Sequence, residues 1–106
     1  MAEPLSLHSF RVDGYRIVVV DGELDLATAP KLADFLAKED GTDVVLDLRD
    51  LAFVDSTGMR VIVTAHNRLE SEGRRLTLRW VHGVPFRAIQ ILGLDTVLHL
   101  DGTLRA

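Results

Sequence analysis

The sequence has no cysteine, which excludes disulfide bonds and thiolate metal sites. Apolar runs such as residues 17–20 are far shorter than the roughly 18 residues of a membrane-spanning helix. The first residues lack the basic and apolar regions of a secretory signal, so we expect a cytoplasmic protein with no membrane partner. Positive charge is also scarce. Twelve basic against sixteen acidic side chains give a net charge of -4, which disfavours nucleic acid as a partner.

The length of 106 residues is that of one compact domain, so residues 1–106 are predicted to form a single unit. Apolar residues make up 47% of the chain, which is enough to build a hydrophobic core without covalent cross-links.

The alternation of apolar runs with turn-forming residues predicts an α/β fold. Asp13-Gly14 is typical of a two-residue turn, so the first two strands should form an antiparallel hairpin. Strands are predicted at residues 5–12, 15–20, 44–48, 76–80 and 96–100, and helices from Thr28 to near Gly41, at 57–72 and at 85–92. Residues 22–25 and 49–55 are expected to be connections. This order implies a mixed, mainly parallel sheet with helices packed against it.

The segment Asp55-Ser56-Thr57-Gly58 carries the most chemical information, because it places a hydroxyl at the start of the second long helix. The free amides and the dipole of a helix N-terminus favour an anion there, so a phosphate on Ser56 would be tolerated. Gly58 allows close approach of another backbone, and Asp25 should lie at the same end of the sheet. The structural alternative is that Ser56 is only the N-cap of the helix.

Other chemistries lack their motifs, so we expect no enzyme activity and no cofactor. A serine hydrolase elbow needs a glycine where Val54 stands, a phospho-aspartyl receiver needs a late lysine, and the glycine-rich nucleotide loops are missing. The histidines show no metal-ligand spacing, so no metal site is expected; they are His8, His66, His82 and His99. His66 falls on the apolar face of its helix and is expected to be packed.

Four segments together resemble the STAS family of anti-sigma factor antagonists. They are Gly22-Glu23-Leu24-Asp25, the run 44–48 followed by Asp50-Leu51, residues 53–58, and Gly93-Leu94-Asp95, in the order in which that family has them. The resemblance covers nearly the whole chain. It implies a STAS-like fold and a role in bacterial transcription regulation.

The resemblance also implies roles for individual residues. Ser56 corresponds to the serine that an ATP-binding anti-sigma factor phosphorylates, that factor being both serine kinase and binding partner. The unphosphorylated antagonist binds the anti-sigma factor and releases the sigma factor; phosphorylation ends binding, and a metal-dependent Ser/Thr phosphatase reverses it. Partner contacts are expected at Glu23, Asp25, Asp55, Thr57, Gly58 and Met59 and, from its position one turn beyond Ser56 rather than from the resemblance, at Arg60. For Arg60, which shares a helix stripe with Arg68, a plain solvated face is the alternative.

Two departures from the family pattern are visible. Relatives usually continue into a further amphipathic helix, whereas here the last helix is expected to be absent or vestigial, since the sequence stops at residue 106. The segment 80–85 contains a tryptophan, Trp80, that either extends a contact surface or packs internally.

The alternative function is that of a non-catalytic STAS subunit of a lipid-transporting ABC complex.

Overall fold

The structure, a computed structural model, describes residues 4–38 and 41–102. The strands are β1 (Leu5–Val12), β2 (Tyr15–Leu24), β3 (Asp43–Asp47), β4 (Leu51–Val54), β5 (Leu76–Arg79) and β6 (His99–Asp101). The helices are α1 (Ala29–Leu36), α2 (Ser56–Ser71) and α3 (Gly83–Ile91), and a short 3-10 turn covers Leu94–Thr96. None of the helices in this part of the chain has the length and apolar character needed to cross a bilayer.

The opening hairpin is confirmed. β1 and β2 pair antiparallel with Val12 opposite Tyr15, leaving Asp13 and Gly14 as the turn. Their φ angles are 51° and 84°, and two successive positive values are what a two-residue turn between twisted strands requires.

All other strand pairs are parallel, which confirms the mixed, mainly parallel sheet. The strands follow the order β1-β2-β3-β5-β6, and β4 pairs with β2 beside this path. The first half of β2 pairs with β3 and its last residues pair with β4. One strand therefore joins the centre of the sheet to the segment that leads into α2.

The prediction that residues 22–25 and 49–55 are plain connections was partly wrong. β2 continues to Leu24, and residues 51–54 form β4. A register shift separates Gly22 from Glu23, and Gly22 has a φ of 121° with no room for a Cβ against the carbonyl of Pro4. A four-residue strand that forms only by pairing across the fold leaves little periodicity in its own sequence.

The core lies where helices cover the central strands. Val18, Leu46 and Leu78 are neighbours in register on β2, β3 and β5, and all are fully buried. Leu32 of α1 and Ile62 of α2 are buried in the same hydrophobic cluster. Helices α1 and α2 also pack against each other, so their relative position is fixed by the core.

Two predicted boundaries need correction. α1 ends at Leu36, well before Gly41, because the guanidinium of buried Arg16 donates to the carbonyl oxygens of Phe35 (2.9 Å) and Lys38 (2.9 Å). The last strand begins at His99 rather than at residue 96, since the 3-10 turn occupies the preceding residues. The expected absence of a further helix concerns residues 103–106, which lie outside the described residues.

Candidate functional site

The carboxyl ends of β2 and β4 lie side by side and carry two adjoining loops. Leu24 pairs with Val54, and the amide of Asp55 donates to the carbonyl of Leu24 at 3.0 Å. Asp25 therefore leaves β2 beside the point where β4 leads into α2. This confirms the expectation that Asp25 and Ser56 lie at the same end of the sheet.

Asp55 connects these two loops through both carboxylate oxygens. Oδ1 accepts a hydrogen bond from the amide of Gly58 at 2.9 Å, and Oδ2 accepts one from the amide of Leu26 at 3.0 Å. Asp55 is thus the N-cap of α2, and Ser56 is its first helical residue. The alternative in which Ser56 is the cap was wrong; aspartate and serine cap helices equally well, so the motif alone does not decide between them.

The loop after β2 is held by a local network around Asp25. Its Oδ1 accepts hydrogen bonds from the amides of Ala27 (3.0 Å) and Thr28 (3.1 Å). The buried Thr28 hydroxyl accepts from the amide of Asp25 at 2.9 Å and lies 2.8 Å from the carbonyl oxygen of Glu23, to which it donates. The half-buried Asp25 carboxylate therefore shapes its own loop as well as adding negative charge to this end of the sheet.

Exposure divides the residues predicted to contact a partner. Glu23, Ser56 and Arg60 are exposed, and Asp55 and Thr57 are half-buried. Met59 is only 2% exposed and belongs to the hydrophobic core. The prediction that Met59 contacts a partner directly therefore does not fit the structure. Met59 affects the surface only by fixing where α2 lies.

Gly58 is buried for a reason internal to the chain. A Cβ at this position would lie 2.6 Å from Cγ of Leu24 and 2.8 Å from its carbonyl oxygen. The close backbone approach that the sequence predicts at Gly58 is therefore made by β2 of the same chain. This contact brings the first turn of α2 against the loop that Asp25 begins.

A shallow groove of about 320 Å³ lies between the C-terminal half of α1 and the part of α2 that begins at Arg60, one turn beyond Ser56. Its walls are mostly apolar, with Leu36, Val61 and Ala65 among them, and Arg60 lies along it. Arg68, on the same stripe as Arg60, donates to the carbonyl of Leu36 at 2.9 Å. Arg60, the nearer of the two to Ser56, is exposed, whereas Arg68 binds the end of α1.

Trp80 follows β5 and is half-buried, with the guanidinium of Arg49 4.7 Å from its ring centre. Its φ is 62°, a left-handed conformation that is uncommon for a bulky residue. His82 Nε2 lies 2.8 Å from the carbonyl oxygen of Arg49 and also joins this segment to the end of β3. Trp80 therefore packs against the exposed Arg49 side chain and remains partly exposed itself.

The structure also gathers residues that the sequence interpretation kept apart. His66 and Glu70 are one turn apart on α2, and His99 Nε2 lies 2.8 Å from Glu70 Oε1. The four-residue spacing of His66 and Glu70 was a usable signal, but the third member is 29 positions further on. Only the pairing of β5 with β6 brings it to the helix.

The fold is α/β with a mixed sheet, and an exposed serine lies on the first turn of a helix beside an acidic loop. These features are those expected of a STAS domain. Residues 10–106 match the STAS domain family, and the chain belongs to that family. An anti-sigma-B factor antagonist from Staphylococcus aureus (strain NCTC 8325 / PS 47) is 30% identical over 100 residues, covering 92% of this chain and 93% of that protein.

Solved structures agree with this assignment. The crystal structure of an anti-sigma factor antagonist from Mycobacterium paratuberculosis has a TM-score of 0.82 and 28% identity, covering 98% of this chain and 92% of that chain. A sulfate transporter family protein from Wolinella succinogenes has a TM-score of 0.75 at 21% identity, covering 88% of this chain and 80% of that chain. This second likeness shows the fold alone, since the same fold serves proteins of different function.

Proposed function

We propose that this protein is an anti-sigma factor antagonist that binds its anti-sigma factor through the surface around the N-terminus of α2. The observation that carries the proposal is the double hydrogen bond of Asp55, which fixes exposed Ser56 beside the loop of Asp25. The relatives named as anti-sigma factor antagonists match almost the full length of the chain, which supports the same role here.

The docking surface we infer has a charged edge and an apolar centre. Glu23 and Ser56 are exposed at the ends of β2 and β4, and Arg60 lies one turn further along α2. The groove between α1 and α2 continues from Arg60. An apolar centre with a polar edge is the usual composition of a protein-binding surface. The protein acts in this proposal by binding, without catalysis of its own.

Phosphorylation of Ser56 is proposed as the event that ends binding, with the anti-sigma factor as the ATP-dependent serine kinase. A phosphate adds a charge of about -1.5 to -2. The helix N-terminus tolerates that charge, but the carboxylates of Asp25 and Asp55 lie at the same end of the sheet, so the surface becomes strongly negative. A partner that contacts a neutral hydroxyl must then bury an unpaired charge, at a cost of about 2–5 kcal/mol.

The remaining components follow from this cycle. A metal-dependent Ser/Thr phosphatase would remove the phosphate and restore binding, and all participants would act in the cytoplasm. Thr57 is the neighbouring hydroxyl, but it is half-buried whereas Ser56 is exposed, so we assign the modification to Ser56.

The experiment is a capture of partners from lysate of the source organism, followed by affinity measurements. Wild type, Ser56→Ala and Ser56→Asp are the baits, and captured proteins are identified by mass spectrometry. We expect an ATP-binding anti-sigma factor on wild type and Ser56→Ala. With the purified factor, Ser56→Asp should weaken binding by about 30-fold or more, the lower end of the interface cost above.

Ser71 provides a matched control, because it is an exposed serine at the other end of the same helix. Ser71→Asp should leave affinity unchanged. Incubation with the anti-sigma factor and ATP should phosphorylate wild type and not Ser56→Ala. Equal binding by Ser56→Asp and Ser56→Ala would refute the switch. Capture of a transporter ATPase by all three baits would refute the function and favour the lipid-transport alternative.

A further inference from the structure

A second cluster of polar side chains lies away from Ser56, where the last strand packs beside the C-terminal half of α2. It consists of His66 and Glu70 on α2 and of His99 on β6. One ligand atom from each residue lies within 4.8 Å of the other two. The His99 Nε2 to Glu70 Oε1 distance is 2.8 Å, and the two imidazole ring centres are 5.4 Å apart.

His66 is the unusual member of this cluster. It is only 6% exposed, and its Nδ1 is buried without a hydrogen-bond partner among the described residues. Buried polar side chains are nearly always hydrogen-bonded, and each exception requires an explanation. An apolar residue would fill the same space in the core without leaving such an atom unsatisfied. The unsatisfied Nδ1 of His66 therefore indicates that this side chain binds a ligand.

We propose that His66, Glu70 and His99 form a binding site for a divalent transition-metal ion, with Zn²⁺ as the ion that fits the donors best. Two imidazoles and one carboxylate form a common zinc ligand set, which leaves a fourth position for water. Water has access, because the side chains of Glu70 and His99 are 46% and 34% exposed. This assignment differs from the expectation drawn from the scattered histidines, which was that the chain has no metal site.

The geometry requires only small side-chain adjustments. Ligands at about 2.0–2.1 Å from a tetrahedral zinc ion lie roughly 3.3 Å from each other. The donor atoms of His99 and Glu70 are already closer than this, and the remaining separations are no more than 4.8 Å. The pair on α2 is rigidly spaced, since residues four apart on a helix project from the same face. Rotation of the partly exposed Glu70 and His99 side chains would bring the three donor atoms to the separations that a tetrahedral zinc ion requires.

The charge of the site is compatible with a cation. Glu70 supplies a carboxylate, and its hydrogen bond with His99 lowers the pKa of Glu70 below its ordinary value. A bound ion would take the place of this hydrogen bond, because both donor atoms must be free of protons to act as ligands. Arg75 lies near Glu70, and its positive charge weakens the attraction of the site for a cation.

The bound ion would cross-link α2 to β6, two elements that are distant in sequence. The test is isothermal titration of the chelator-treated full chain with ZnCl₂, alongside a thermal unfolding series. We expect saturable binding of one ion per chain and a Tm that rises with Zn²⁺ concentration. Titration with Co²⁺ in place of Zn²⁺ should give the visible absorption bands of four-coordinate Co²⁺.

Glu70→Gln and His99→Gln remove one ligand each at partly exposed positions, so both variants should fold. Each should lower the affinity for Zn²⁺ by at least about tenfold, since even the loss of an outer-shell partner costs that much. His8→Gln, at an exposed histidine on β1, is the matched control and should bind like wild type.

His66→Gln tests the buried ligand, with circular dichroism of the metal-free protein to verify its fold. The proposal is overturned if wild type shows no saturable binding of Zn²⁺, or if Glu70→Gln and His99→Gln bind it as tightly as wild type does. Neither result bears on the phosphorylation of Ser56, because His66 and Glu70 lie in the C-terminal half of α2 and His99 lies on β6, whereas Ser56 is the first residue of α2.

Discussion

Replacing Asp55 by alanine tests whether this side chain holds the two loops of the docking surface together. The carboxylate makes two hydrogen bonds, one that caps α2 at the amide of Gly58 and one that reaches the amide of Leu26. Asp55→Ala removes both. Asp55→Ser removes only the second, because serine is an equally good N-cap but has a single oxygen.

The expected change in the free energy of unfolding is the sum of the contributions of these two hydrogen bonds. Loss of an N-cap costs about 1 kcal/mol. A hydrogen bond on the exposed side of the molecule contributes about 0.5–1 kcal/mol net. Asp55→Ala should therefore lower the free energy of unfolding by roughly 1.5–2 kcal/mol, which corresponds to a fall in Tm of roughly 6–12 °C. Asp55→Ser should lose roughly 0.5–1 kcal/mol, the contribution of the bond to Leu26 alone.

Urea unfolding followed by circular dichroism measures these differences, and binding to the anti-sigma factor measures their effect on the docking surface. Asp50→Ala is the control, because Asp50 is exposed in the turn before β4 and should change stability by less than about 0.5 kcal/mol. If Asp55→Ala unfolds at the same urea concentration as Asp50→Ala, Asp55 does not connect the loops. If Asp55→Ser is as unstable as Asp55→Ala, the cap has been wrongly identified.

Three further substitutions are predicted to lower stability in urea unfolding. Gly58→Ala should cost about 1–2 kcal/mol, since the clash with the carbonyl of Leu24 outweighs the gain in helix propensity; a stabilised variant would contradict that contact. Arg16→Met should cost about 2 kcal/mol through loss of its hydrogen bonds to the end of α1, whereas Arg87→Met, at an exposed arginine, should be nearly neutral. Thr28→Val should cost about 1–2 kcal/mol, because it leaves the amide of Asp25 without its acceptor; unchanged stability would show that the loop does not need this hydroxyl.

Features encoded by neighbouring residues were predictable from the sequence. The Asp13-Gly14 hairpin, the buried strand β3 and the placement of Ser56 at the start of a helix each depend on a few consecutive residues. The family resemblance, which rests on the same contiguous motifs, is confirmed by the match over residues 10–106.

Features that depend on contacts across the fold were missed. Residues 51–54 form a strand only because β2 continues past the bulge at Gly22 to pair with them. α1 ends early because Arg16, from another strand, binds its last carbonyls. The capping role of Asp55 was not distinguishable from that of Ser56 in the motif, since both residue types cap helices.

The attachment of β4 to the end of β2 has a consequence for the kinetics of binding. The amide of Asp55 donates to the carbonyl of Leu24 directly after the last residue pair of β2 and β4, so the base of the surface around Ser56 is attached to the sheet. Such an amide should exchange with solvent deuterium slowly, as sheet amides do, in contrast to the amides of mobile loops. A partner then meets a surface that is already ordered, and association need not await a folding step. Most of the difference in affinity between the two states of Ser56 should accordingly appear in the dissociation rate.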